Sequence, residues 1–242
     1  MSRTRQVMLG SITLVLTLTA LGLSRWQFQR LATRKAINAA LIAAGALPPL
    51  DLVTALRAGT PLVGRRVRTT GTFDTTGQLL LRNRVENDGP GLQVATAFHP
   101  DSTAVVLWVE RGFVPSPDAV TPPDTIRAPA SGDIAITGLM LAPPVALDAN
   151  VPLVRKGITT WMRLDSTSMH EDRAGALGLY LLLVGDTMGP GRLTAVPPPA
   201  LDNGPHLSYA IQWIGIALAI ASFGIMVLWR ENRGRAPHPS AP

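Results

Sequence analysis

The sequence predicts a membrane protein of the α+β class, in which two transmembrane helices flank one mainly antiparallel β domain of barrel-like or sandwich-like form. Two uncharged apolar segments near the ends of the chain, with a series of short β-favouring segments between them, lead to this prediction. The predicted parts are a cytoplasmic tail (1–6), a first transmembrane helix (7–24), an extracytoplasmic domain (25–205), a second transmembrane helix (207–229) and a cytoplasmic tail (230–242).

The first apolar segment runs from Gln6 to Ser24 without a charged residue. It is long enough to cross a hydrocarbon core, which takes about 17–25 helical residues. A cleaved signal peptide is the alternative, because the segment has a basic start, an apolar centre and the small residues Ala20 and Gly22 near its end. The second segment, from Leu207 to Trp229, is equally free of charge.

The region between these segments predicts a helical stem followed by a β domain. Residues 25–44 are rich in Ala, Leu, Gln and Arg, and Gly45 with the following proline pair ends the predicted helix. Residues 65–185 contain about seven β-favouring segments separated by Gly, Pro, Asn and Asp, with little helix. The proline-rich stretch 195–205, AVPPPALDNGP, is an extended lead into the second transmembrane helix.

The formal net charge of +6 indicates membrane topology and not a nucleic-acid surface. The two tails carry five basic residues and one acidic residue, whereas the region between the spans carries 17 basic and 15 acidic residues. Because basic residues favour the cytoplasmic side, both termini are predicted to be cytoplasmic. Arg25, Arg30, Arg34 and Lys35 would then face outward against this rule, which indicates a role for them there.

Few residues suggest catalysis, and we predict no catalytic site and no enzyme activity. Cysteine is absent, so the chain offers no thiolate to zinc, copper or covalently bound haem. His170 begins the sequence HEDRA, which lacks the second histidine of a zinc protease helix, and no Gly-x-Ser-x-Gly motif occurs. A membrane-anchored extracytoplasmic enzyme that uses Asp165 or His170 is the less favoured alternative.

The outer ends of the two predicted membrane helices form a candidate binding region. Trp26 and Arg30 are spaced i, i+4, so the guanidinium can pack over the indole. On the second helix, at 100° per residue, Tyr209 lies about 60° from His206, at the edge of a stripe. Ala210, Trp213, Ala217 and Gly224 lie within about 40° of His206.

This arrangement suggests a haem site, because an imidazole can bind the iron and arginines can meet the propionates. The small residues of the stripe would let a partner helix approach closely. Two alternatives stay open at this point. The aromatic residues have the composition of interfacial anchors, and His206 is also placed to cap its helix.

Four segments resemble the surfeit locus 1 family of cytochrome c oxidase assembly factors. LGLSRWQFQRLATRK (21–35) is similar to the Trp-Gln-x-x-Arg signature of the family, and HLSYAIQW (206–213) to its motif at the second span. The segments 66–94, RVRTTGTFDTTGQLLLRNRVENDGPGLQV, and 107–115, LWVERGFVP, follow the family in the same order. Thr33-Arg34 and Phe113 depart from the family's Trp-Lys and Trp, so we give these positions no site role.

The resemblance implies a non-enzymatic chaperone for haem–copper oxidase, acting in haem a delivery or insertion into subunit I at the outer face of the plasma (inner) membrane. The implied partners are oxidase subunit I, haem a synthase and the lipid bilayer, with haem a as a possible cofactor. His206 is the candidate iron ligand, and Arg111 and Gly112 are structural. The other implied cofactor-binding or partner-binding residues are Trp26, Gln27, Arg30, Tyr209 and Trp213. A haem-free scaffold that binds oxidase subunits is the alternative function.

Overall fold

The computed structural model describes residues 3–86, 89–145, 148–172, 175–184 and 193–233 of the chain, except for the side chains of 170–172 and 232. The helices and strands in these ranges are α1 (Arg3–Ala46), β1 (Leu50–Asp51), α2 (Leu52–Arg57), β2 (Arg66–Glu86), β3 (Gly89–Pro100), β4 (Val106–Pro115), β5 (Ile134–Leu141), β6 (Leu153–Arg155), β7 (Ile158–Trp161), α3 (Ser166–Asp172), β8 (Ala176–Leu183) and α4 (His206–Arg233). They belong to two compact units, Met1–Ala39 with Leu201–Pro242, and Ala40–Ala200.

The first unit contains α4 and most of α1, which are the two helices in the described residues that are long and apolar enough to cross a membrane. α1 is one uninterrupted helix over the predicted span and stem, because proline is absent from it. It ends at Ala46, just before two prolines that cannot donate a backbone hydrogen bond. α4 begins directly after Pro205, and parts of both predicted tails, residues 1–2 and 234–242, lie outside the described residues.

The second unit is built on one mixed sheet. β2 pairs with β3 on one edge and with β5 on the other, so the path β2-β3-β4-β8-β5 returns to β2. Such a closed path is the connectivity that a barrel requires. The β4–β8, β2–β7 and β1–β2 pairs are parallel, and the other five described pairs are antiparallel.

β2 joins two segments, 65–73 and 78–83, that the sequence presents as separate strands. The DTTG sequence between them is an irregularity within the strand, where the register against β3 shifts between Phe73 and Gln78. The Asp74 carboxylate accepts hydrogen bonds from the backbone amides of Thr76, at 2.8 Å, and Gly77, at 3.2 Å. These local bonds absorb the extra residues as a bulge, so the chain continues along the sheet and does not turn back.

Two short helices add to the little helix that we expected in this region. Asp51 caps α2 by accepting a hydrogen bond of 2.9 Å from the backbone amide of Thr54. Asp165 caps α3 in the same way, with 3.0 Å to the backbone amide of Ser168. Each carboxylate satisfies an amide that the first helical turn leaves without a backbone partner.

The core covers both faces of β4. Leu107 and Val109 belong to one apolar cluster, which also contains Leu52 of α2. Val106 and Trp108 point to the other face and belong to a second cluster. The Trp108 indole also donates a hydrogen bond of 3.2 Å to the backbone carbonyl of Met169, so its polar atom is satisfied inside the core.

Candidate functional site

A stripe of buried residues runs along α1 within the first unit. Ala20, Ser24, Gln27, Leu31 and Asn38 are its buried members. Their separations of three, four and seven residues place them on one face of the helix. Polar residues are rare on a buried face unless each finds a hydrogen-bond partner. The three polar members therefore identify where α1 makes specific contacts.

Gln27 makes a hydrogen bond to His206, the first residue of α4. The His206 Nδ1 atom lies 2.9 Å from Gln27 Oε1. Because the amide oxygen is an acceptor only, Nδ1 carries the hydrogen and donates it. The lone pair of the neutral imidazole then lies on Nε2, which is the atom available for a metal. The Nδ1 contact fixes both the tautomer and the ring orientation, as metal-binding histidines require.

Gly204 leaves space beside the imidazole. A side-chain carbon added at this glycine would lie 3.4 Å from His206 Nε2 and 3.3 Å from the adjacent ring carbon. Gly204 also has a φ of 69°, which residues with side chains rarely adopt. A glycine at position 204 thus satisfies the turn and keeps this edge of the ring uncrowded.

The segment that precedes His206 is attached to α1 by two polar side chains. The Asn38 amide nitrogen shares its two hydrogens among three acceptors, which are the carbonyl of Leu201 at 3.3 Å, that of Asp202 at 3.1 Å and Asn203 Oδ1 at 3.2 Å. Arg34 Nε also donates to the Asp202 carbonyl, at 3.2 Å. These contacts hold the chain in position just before the histidine.

The small residues of the predicted α4 stripe lie on its buried face. Ala210 and Ala217 are buried hydrophobic residues, and the Ala210 carbonyl accepts a hydrogen bond of 3.0 Å from the Ser24 hydroxyl. Gly224 is also buried, and a side-chain carbon added there would lie only 2.3 Å from Thr13 Cγ2. The stripe is therefore where α4 packs against α1, with separations that only small residues allow.

The aromatic and arginine candidates take different positions around this contact. The Arg30 guanidinium lies 5.5 Å from the centre of the Trp26 ring, within cation–π distance. Trp26 is 48% exposed and Tyr209 is 47% exposed, whereas Trp213 is half-buried. The structure thus brings Gln27 and His206 into contact, and separately Trp26 and Arg30.

Arg111 and Gly112 have structural surroundings in the second unit, Ala40–Ala200, which we call the β unit. Arg111 is buried and donates to Thr96 Oγ1 at 3.3 Å and to the Arg127 carbonyl at 2.9 Å. Burial lowers the pKa of Arg111 to about 10, and the nearby charge of Arg127 adds to this effect. Gly112 has a φ of 146°, and an added side-chain carbon would lie 2.7 Å from the Thr194 carbonyl oxygen.

The contacts of the Asp165 carboxylate are structural. In addition to capping α3, it forms an ion pair of 3.2 Å with Arg163. Burial opposes its ionisation, but hydrogen bonds from Ser168 and Asn150, with the charge of Arg163, hold the pKa of Asp165 below its ordinary value. The His170 side chain lies outside the described residues, and within the described part no group of three or more potential metal ligands occurs.

The fold and these contacts define a protein with two long apolar helices, one before and one after a mixed β domain, and with a histidine at the start of the second helix. The sequence model of the SURF1 family matches residues 14–218. The chain therefore belongs to the SURF1 family, which confirms the resemblance drawn from the four sequence segments.

Relatives from bacteria and eukaryotes agree with this assignment. An uncharacterised SURF1-like protein of Mycobacterium bovis is 28% identical over 231 residues, which cover 91% of this chain and 84% of the relative. A SURF1-like protein of Monosiga brevicollis is 29% identical over 233 residues, with 90% and 88% covered. Surfeit locus protein 1 of Rattus norvegicus is 25% identical over 234 residues, with 89% and 74% covered.

The sequence prediction missed Ser24 and Asn38, and it gave Arg34 no place in the site. Ser24 and Asn38 lie on the same heptad-like stripe as Gln27, so polar residues at a regular buried spacing were the available signal. The charge of Arg34 on the predicted outer face indicated a role, but its partner was not predictable because the hydrogen bond is made to a backbone carbonyl.

Proposed function

We propose that this protein assists the assembly of a haem–copper oxidase by holding haem a before its insertion into subunit I. Membership of the SURF1 family supports the assembly role, and the hydrogen bond from His206 to Gln27 supports the haem-binding role. The protein would act in the plasma membrane with both termini cytoplasmic and residues 25–205 on the outer face. Haem a synthase and oxidase subunit I would be its partners.

The residues of the first unit fit a haem group in their donor chemistry. His206 offers Nε2 as the iron ligand, because Gln27 occupies Nδ1. Arg30 is exposed and offers a guanidinium to a propionate, with the Trp26 ring behind it. Tyr209 and Trp213 add aromatic surface on α4. The bound haem a would supply the iron centre that the oxidase requires.

The surrounding contacts explain how the chain would present the imidazole. The polar contacts of Asn38 and Arg34 hold the segment before α4, and Gln27 sets the ring orientation. A ligand held in this way loses less side-chain entropy when the metal binds. We therefore assign Gln27, Arg34 and Asn38 to positioning, and His206 to ligation.

Spectroscopy of the full-length protein tests the ligand assignment. The protein is purified in detergent from cells that make haem a, and its visible spectrum and haem content are measured for wild type, His206→Ala and Gln27→Leu. The matched control is His99→Ala, which removes an exposed histidine on β3 of the other unit. We expect haem in wild type and the control, background levels in His206→Ala, and reduced occupancy in Gln27→Leu. Equal haem content in wild type and His206→Ala would refute the ligand assignment.

A gene-deletion experiment tests the assembly role separately. Membranes of a deletion strain should show a reduced haem a absorption band of the oxidase, restored by wild type and by His99→Ala. Restoration by His206→Ala as well would favour a haem-free scaffold. Co-purification of subunit I with a protein that contains no haem would favour the same alternative. An unchanged oxidase in the deletion strain would refute the assembly role itself.

A further inference from the structure

A cavity of about 760 Å³ lies within the β unit, distinct from the helix contacts described above. Its volume is in the range of about 300–1,000 Å³ that is common for small-molecule sites. Leucines 81, 141, 164 and 182 contribute apolar lining, and the stretch Val196-Pro197-Pro198-Pro199-Ala200 contributes another part of the wall. A mainly apolar lining with few polar groups is typical of a ligand pocket.

Glu110 is the polar group that distinguishes this cavity. Glu110 lines the cavity and is only 5% exposed. Among the described residues, its carboxylate makes no hydrogen bond and no ion pair. Burial raises the pKa of Glu110 to about 7, although the charge of Arg84 lowers it in part. Buried carboxyl groups normally have partners, so this one requires an explanation.

Acidic residues outnumber basic ones around the cavity when the carboxylates that pair with Arg163 are included. Glu86 and Arg84 come from β2 and Tyr180 from β8, and Tyr180 is neutral because burial raises its pKa to about 12. Arg163 also lines the cavity, but ion pairs with Asp165, at 3.2 Å, and Asp148, at 3.3 Å, balance its charge. Arg84 therefore faces two carboxyl groups, those of Glu86 and Glu110.

We propose that this cavity binds an organic amine, with the ammonium group against Glu110 and the apolar body of the ligand along the leucine and proline lining. An ammonium group supplies the hydrogen-bond donors that the Glu110 carboxylate lacks, and it adds a positive charge to the one that Arg84 shares between Glu86 and Glu110. An anion would meet Arg84, whose Nε has no hydrogen-bond partner among the described residues, but it would also meet the two carboxyl groups of Glu86 and Glu110. A neutral alcohol would bring a donor without a charge. This proposal is independent of the function proposed above.

The binding has a pH dependence of known sign. The ammonium group binds the ionised form of Glu110, and the proton that a neutral Glu110 carries is released on binding. With a pKa of about 7, roughly a tenth of the carboxyl is ionised near pH 6 and roughly nine-tenths near pH 8. The affinity for an amine should therefore rise about tenfold between these two conditions.

Calorimetric titration of the full-length protein in detergent tests the proposal. The probe is 4-phenylbutylamine, and 4-phenylbutanol is the uncharged ligand of matching shape. Wild type should bind the amine more tightly than the alcohol at about pH 8. Its affinity for the amine should be about tenfold lower at about pH 6 than at about pH 8. Glu110→Gln should lose the preference for the amine and the pH dependence. Asp133→Asn, which removes an exposed carboxylate outside the lining, should keep both.

Three results would overturn the proposal. One is an absence of amine binding to wild type at millimolar concentration. The second is an equal affinity of wild type for the amine and the alcohol at about pH 8, which also shows that only partition into the apolar lining or the micelle is measured. The third is an amine affinity of wild type that does not change with pH. All three are measured on wild type, so they decide the question even if Glu110→Gln fails to fold.

Discussion

Replacing Glu110 by glutamine should stabilise the protein at alkaline pH. The pKa of Glu110 is about 7 in the folded chain, against an ordinary value of 4.5, because burial disfavours the charged form. The folded state therefore holds the proton more tightly than the unfolded state does. The stability that this group contributes is complete below about pH 4.5 and is lost as the pH rises through about 7. The loss amounts to about 3 kcal/mol near pH 8.

Glutamine stays neutral at every pH, so Glu110→Gln avoids this loss. The variant should be about 3 kcal/mol more stable than wild type near pH 8 and less than about 1 kcal/mol more stable near pH 5. For a chain of this size, about 2–4 °C of melting temperature corresponds to 1 kcal/mol, which gives a difference of about 6–12 °C near pH 8. Thermal unfolding of the full-length protein in one detergent, without added amine, measures it.

The pH dependence is what separates this explanation from an effect of side-chain shape. Asp133→Asn serves as the control, because this exposed carboxylate should give no comparable difference at either pH. A Glu110→Gln variant that is less stable than wild type near pH 8 would refute the reasoning. An equal stabilisation near pH 5 and pH 8 would refute it as well, since the charge on Glu110 would then have no part in the effect.

Two glycine substitutions test the packing inside each unit separately. Each has a control glycine whose added carbon meets no atom within 4 Å. Gly224→Ala should destabilise the α1–α4 contact by about 1–3 kcal/mol, because the new carbon would lie 2.3 Å from Thr13 Cγ2, while Gly215→Ala on the same helix should have little effect. Gly138→Ala should destabilise the β unit similarly, since its new carbon would lie 2.4 Å from the Leu182 carbonyl oxygen, whereas Gly178→Ala should not. Thermal unfolding of each pair in detergent measures the difference, and equal melting temperatures within a pair would contradict the prediction.

The sequence predicted the kinds of element better than their extents. Continuous apolar composition identified both long helices, and β-favouring segments identified most of the sheet. The division of β2 into two strands was wrong because Asp74 with a following glycine is typical of a turn, and nothing in the sequence indicates that β3 continues beside it. Alternation could not reveal the environment of β4 either, because both of its faces are covered.

The contact between α1 and α4 was partly predictable. Helical spacing was enough to place Ala210, Ala217 and Gly224 on one face, since this depends only on the geometry of a single helix. The pairing of Gln27 with His206 joins residues 179 positions apart, so no local rule could supply it. The exposure of Trp26 and Tyr209 was not predictable either, because helical spacing alone does not fix how exposed an aromatic residue is.

Buried polar residues differ between the two units in whether the chain itself supplies their hydrogen-bond partners. On α1, Ser24, Gln27 and Asn38 all have hydrogen-bond partners within the chain, so the folded protein already meets the cost of burying them. Glu110 has no such partner among the described residues, and its pKa is raised because burial disfavours the charged form. The α1 residues therefore position other groups, and their loss should loosen the fold. Glu110 reduces stability near neutral pH, which is the behaviour expected of a residue whose partner is a ligand and not another part of the chain.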